Sequence, residues 1–147
     1  MTPAVVHIAN FAPGYGGNFV ASLKALSGSC KDIGLRSVLV FLEEARKHAW
    51  CSQLVADGHE VRFMPARHGM RRDAKAIRGF IEDENAAIVH THFSQFDIPA
   101  WRAVRTQPRG RRPRLVWHAH SSLGTGTGLV RRMKNCIKYH WMGNVFV

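Results

Sequence analysis

Apolar positions along the chain fall into two alternating kinds of segment. Ala4–Ala9 (AVVHIA) is short, rich in β-branched residues and bounded by turn formers, which predicts a buried strand. From Gly17 to about Ser29 the apolar residues Phe19, Val20, Leu23 and Leu26 recur at the spacing of an amphipathic helix. Ser37–Leu42 (SVLVFL) predicts a second buried strand, and Glu43–Ala56 a helix with two acids in its first turn, ending at Asp57-Gly58. Glu60–Met64 predicts a third strand, stopped by Pro65. Met70–Glu84 predicts a basic helix with Ala74, Ile77, Phe80 and Ile81 on one face. Ala86–His92 (AAIVHTH) predicts a fourth strand, and the stretch from Ile98 to Thr106 is helical in part, starting near Pro99. Arg114–His120 (RLVWHAH) predicts a fifth strand, Leu129–Met142 a last basic helix, and Asn144–Val147 the start of a sixth strand.

Strands that alternate with helices imply a mostly parallel sheet covered on both faces, because parallel strands need crossover connections. The expected fold is therefore α/β: a doubly wound, Rossmann-like parallel sheet of about six strands flanked by helices, in the order 3-2-1-4-5-6. Composition agrees with one domain, since 147 residues with 46% hydrophobic and 21% charged content suffice for a core. The three cysteines, Cys30, Cys51 and Cys136, are widely spaced and form no CxxC, which excludes a zinc ribbon or disulfide framework and points to a reducing compartment. The N-terminus lacks a charged leader, and no apolar run approaches the ~18 residues of a membrane span. Any membrane contact is expected to be peripheral.

In doubly wound sheets ligands bind beyond the carboxyl ends of the strands, where strand order reverses. Three loops qualify. Asn10–Asn18 (NFAPGYGGN) opens directly into a helix, so Gly14, Gly16 and Gly17 let backbone amides approach a phosphate, or else simply make a tight turn. Phe19 stands where a dinucleotide fingerprint wants its third glycine, and Glu43, the candidate ribose ligand, is spaced further away than usual. His92–Asp97 follows the fourth strand. His120–Gly128 follows the fifth and offers the hydroxyls of Ser121, Ser122, Thr125 and Thr127. His90 and His92, and His118 and His120, occupy matching places on strands ~4.8 Å apart. A four-histidine metal site is sterically conceivable, but no thiolate and no carboxylate except Asp97 lies beside them, and no metal is expected. The expected split has His90 and His118 under the helices, with His92 and His120 reaching the cleft.

VVHIANFAPGYGGNFVASLKAL, AAIVHTHFSQFDIPAWRAV and PRLVWHAHSS together resemble, in order, the N-terminal half of a family 4 glycosyltransferase of the GT-B fold. That resemblance implies a retaining transfer of sugar from a nucleotide-sugar to an acceptor, without a metal or other cofactor. It implies that Gly16, Gly17 and Asn18 approach the donor phosphates. It places His92, Phe93, Ser94 and Ser121 on the acceptor side, and it makes His120 the catalytic cleft histidine, stabilising an oxocarbenium-like transition state by preorganised polarity. The second GT-B domain, which grips the nucleotide, is missing from the sequence. The chain alone is accordingly expected to be inactive, as a fragment or as half of a split enzyme whose donor domain is a partner chain.

The net charge of +11 comes mostly from arginine and predicts an anionic partner. It gathers around the third helix (Arg62, Arg67, Arg71, Arg72, Lys75, Arg78), around the loop before the fifth strand (Arg102, Arg105, Arg109, Arg111, Arg112, Arg114) and on the last helix. With a sugar or lipid-linked acceptor, these clusters imply a cytoplasmic protein docked peripherally on anionic headgroups at the inner face of the membrane. No recognition helix, RNP-like strand or zinc finger is present, so nucleic acid is not the expected partner. A Rossmann-like nucleotide-binding oxidoreductase and a basic anionic-surface binding module stand as the alternatives. Core or inter-domain packing is the first expectation for the tryptophans.

Overall fold

The computed structural model describes residues 2–65 and 69–118. Within them β1 (Ala4–Ala9), β2 (Arg36–Leu42), β3 (Glu60–Met64), β4 (Ala86–His92) and β5 (Arg114–His118) form one parallel sheet in the order β3-β2-β1-β4-β5. This is the expected doubly wound order for the five strands. The last basic helix, the sixth strand and the loop after the fifth strand fall outside the described residues.

Four α-helices connect the strands: α1 (Gly17–Asp32), α2 (Ala49–Ala56), α3 (Met70–Asp83) and α4 (Asp97–Arg105). Alternation along each strand splits the apolar residues between two cores. On one face Ala4, Val6, Ile8, Val38, Val40 and Val89 meet Ile77 and Ile81 of α3 and Ala100, Ala103 and Val104 of α4. On the other, Ala9, Leu39 and Phe41 meet Val20 and Leu23 of α1 and Leu54 of α2. Both faces are covered, which is why the strands read as continuous apolar runs.

One expectation is corrected. The stretch from Glu43 to Ala56 is not a single helix: a 3₁₀ segment (Glu43–Lys47) ends at His48, whose backbone is extended (φ −94°, ψ 139°), and α2 starts afresh at Ala49. The cause is tertiary. His48 Nε2 donates to the Ala12 carbonyl at 3.1 Å, and Trp50 Nε1 to the Pro13 carbonyl at 2.9 Å, so the break brings both rings against the loop after β1. Local periodicity carries no trace of those distant carbonyls.

Arg36 belongs to an ion cluster at the amino end of the sheet. Its guanidinium reaches Glu60 at 2.6 Å and the buried Glu84 at 3.1 Å, and Arg62 reaches Glu84 from the other side at 3.0 Å. Arg62 is thereby committed to an internal pairing. Replacing Arg36 with alanine leaves a buried carboxylate short of one partner and is expected to cost about 2 kcal/mol. Lys24→Ala, which removes one half of an exposed pair with Asp57, is expected to cost under about 1 kcal/mol. Urea denaturation of the two variants measures the difference.

Candidate functional site

β1 sits between β2 and β4, and the crossovers that follow β1 and β4 lie on opposite faces, so the carboxyl ends of these two strands border the switch point. The two loops there are tied together, since Asn10 Nδ2 donates to Gln95 Oε1. Phe11, Phe19 and Phe93 cluster above the strand ends, with Phe11–Phe19 at 4.6 Å and Phe19–Phe93 at 4.9 Å between ring centroids. Phe93 is held at φ 65°, a left-handed backbone that costs a non-glycine residue about 1–2 kcal/mol. Its amide still donates to the His118 carbonyl at 3.3 Å, and its ring lies nearly parallel to Phe11 (10°, 6.0 Å). Such strain persists where the surroundings over-determine it, and it collects at functional sites.

The glycine loop has its own geometry. A Cβ on Gly16 would stand 2.9 Å from Val20 Cγ2 and 3.2 Å from Trp50 Cβ, so close packing on the first turn of α1 excludes a side chain. Gly17 has φ 53°. Gly17 and Asn18 are exposed at the start of α1, whose first turn carries no acidic residue to offset its positive end. Gly16→Ala is expected to cost about 1–3 kcal/mol by overpacking, and Gly17→Ala about 1–2 kcal/mol by backbone strain. Thermal unfolding of each variant measures this.

The histidines are brought together differently from the expectation. β1 registers with β4, pairing His7 with His90 and Ala9 with His92, so His7, His90 and His92 share one face of the sheet. The centroid distances are 5.2 Å for His7–His90, 5.7 Å for His7–His92 and 4.1 Å for His90–His92. His118, opposite His92 in β5, lies 5.6 Å from His90 and 5.4 Å from His92. His92 is 2% exposed, and His90 and His118 are half-buried. The expected division is thus reversed for His92, which lies under Phe19 (5.3 Å) rather than open to the cleft. The Phe19 ring, in the first turn of α1, lies over His92 and places it deeper than its position at a strand end suggests.

His7 was missed because AVVHIA reads as wholly apolar. The available signal was one histidine within that run, in the strand that the doubly wound order sets beside His90. His7 Nε2 and Ser37 Oγ are hydrogen-bonded at 3.0 Å, and His7 Nδ1 stands 3.5 Å from His92 Nε2. Burial, reinforced by His90, lowers the His7 pKa to about 3, so this ring is neutral at physiological pH.

The remaining candidates are scattered. Ser94 is exposed and Phe93 half-buried at the end of β4. Asp97 is buried and accepts from Thr91, which points to the face opposite the histidines. Glu43 is exposed and paired with Arg46 at 2.6 Å. Arg71, Arg72, Lys75 and Arg78 are exposed on α3, with Arg78 paired to Glu82 at 2.7 Å. Arg111 and Arg112 are exposed just before β5, and Arg112 donates to the carbonyls of Gln107 and Arg105. His120, Ser121 and Arg67 lie outside the described residues.

No protein-family profile and no curated protein matches the chain at a significant level. Solved structures do match. A glycosyltransferase from Rickettsia africae superposes with a TM-score of 0.60 at 14% identity, over 80% of this chain and 30% of its own. The chain shares its fold with part of this glycosyltransferase. MurG from Acinetobacter baumannii matches with a TM-score of 0.56 at 13% identity, over 82% of this chain and 36% of its own. The chain therefore spans about a third of the length of either neighbour. No helix among its described residues is long and apolar enough to cross a membrane.

Proposed function

We propose that this domain is the acceptor-binding half of a retaining glycosyltransferase, working with a second Rossmann-like half that holds a nucleotide-sugar. The observation that carries this reading is the exposed Gly17–Asn18 start of α1 at the switch point, facing the β4 loop across the Asn10–Gln95 tie. A helix start with no side-chain cap and no first-turn acid suits a diphosphate. Gly16, Gly17 and Asn18 receive the donor phosphates in this reading. Phe93, Ser94 and Ser121 line the acceptor side, and the buried His92 supports Phe19 from below. His120 is the polar group nearest the transferring sugar and stabilises the charge that develops as the bond to the phosphate breaks. Transfer itself needs no metal.

The acceptor is a sugar or lipid-linked sugar, reached by peripheral docking at the cytoplasmic face of a membrane. Arg71, Arg72 and Lys75 stand exposed on α3 near Met70, itself 46% exposed, a combination of charge and apolar surface that suits anionic headgroups. Arg111 and Arg112 add to the charge.

Two measurements test the reading. Combined with a nucleotide-binding half, in one chain or as a partner, the domain should release nucleoside diphosphate in the presence of acceptor. His120→Ala should cut that turnover by about a hundredfold or more while leaving the far-ultraviolet circular dichroism unchanged. The domain should also sediment with anionic vesicles at low salt and be released at high salt, and Arg71→Glu/Lys75→Glu should weaken this. Absence of both acceptor binding and reconstituted transfer would overturn the proposal.

A further inference from the structure

We propose that His7, His90 and His92 form a binding site for one divalent transition-metal ion of the zinc class. His7 on β1 lies 83 residues from His90 on β4, the strand that also carries His92, and only the doubly wound order makes the two strands neighbours. One ring nitrogen of each lies within 4.8 Å of the others. His7 Nδ1 and His92 Nε2 stand 3.5 Å apart. Two nitrogens bound to one tetrahedral ion at ~2.0–2.1 Å are about 3.4 Å apart, so this pair already has the spacing of coordinated ligands. A side-chain rotation of the half-buried His90 closes the third position.

The outer shell fits as well. His7 turns Nε2 to Ser37 Oγ, which leaves Nδ1 facing His92. Ligating histidines characteristically use their second nitrogen in this way, and the bond fixes which nitrogen meets the ion. Three imidazoles select zinc, cobalt, nickel or copper over magnesium and calcium, which take oxygen ligands. With no carboxylate in the set, the ion keeps its two charges, and its fourth position takes water, hydroxide or a small anion. Such an ion would pin β1 to β4 directly beneath Phe19 and the switch point, apart from the phosphate-facing start of α1. It is not a participant in the transfer proposed above, and the inference stands or falls without that transfer.

The test uses the whole chain, freed of metal with a chelator and titrated with Co²⁺, then with Zn²⁺. The expected result is uptake of one equivalent, with the visible absorption of a four-coordinate cobalt site and no thiolate charge-transfer band. Zinc should displace the cobalt and raise Tm. In imidazole-nitrogen NMR spectra of the zinc-loaded wild type, three of the nine histidines should shift. His90→Gln should weaken uptake by about a hundredfold, whereas His59→Gln, which alters a ring bonded to Ser27, should not. Absence of saturable uptake, uptake indifferent to His90→Gln, or shifts confined to other histidines would each overturn the site. A hydrogen-bonded stack of neutral imidazoles predicts the first of these results.

Discussion

Phe41→Ala is expected to lower stability by about 3–5 kcal/mol, the cost of emptying a fully buried aromatic site. Phe41 lies in β2 with no exposed surface, among Leu39, Val20, Leu23 and Leu54. Its ring also meets Trp50 edge-on, 5.1 Å between centroids. Trp50 donates to the Pro13 carbonyl and packs against Phe11 (5.5 Å), so removing the Phe41 ring releases both the core and the brace on the glycine loop. At about 3 °C per kcal/mol for a domain of this size, Tm should fall by roughly 10 °C or more. Phe41→Leu, which keeps most of the volume, should cost under about 1.5 kcal/mol. Calorimetry of the pair separates a cavity effect from a specific loss of the aromatic edge. Equal costs for the two would show that the Trp50 contact, rather than the buried volume, carries the stability.

Acidification is expected to destabilise the metal-free chain from about pH 6.5 downward. His7 has its pKa lowered from 6.5 to about 3, first by burial and then by His90. The groups facing it are His90 and His92 from β4 and the uncharged Ser37 from β2. Above pH 6.5 neither the folded nor the unfolded state holds a proton on this ring, and the full stability is present. Between 6.5 and 3 the unfolded chain takes up the proton and the folded chain resists it. Stability therefore falls with pH by about 1.4 kcal/mol per unit, or roughly 3 kcal/mol by pH 4. Denaturant titrations across that range should show the slope, and His7→Asn should flatten it. An unchanged slope in that variant would assign the acid sensitivity to other groups.

The periodicities carried most of the secondary structure. β1, β3 and β4 begin and end where the sequence pattern places them, because turn-forming residues such as Pro65 and Asn85 bound the runs. The strand order followed from right-handed crossovers. The glycine turn and the exposed arginines of α3 were also legible, since both are local properties of the chain. Two features were not. The break at His48 depends on carbonyls 36 and 37 residues away, and a helical pattern is blind to them. The depth of His92 depends on the Phe19 ring lying over it, which is a matter of packing and not of position in a strand.

The histidine cluster shows where the division lies. The H-x-H spacing already placed His90 and His92 on one side of a strand, because the side-chain period of two is built into an extended backbone. Their third companion came from the sheet. His7 is 83 residues from His90, and the two meet only because β1 lies beside β4 in a register that sets them opposite each other. Side-chain direction is local geometry, whereas proximity across strands exists only after the chain has folded.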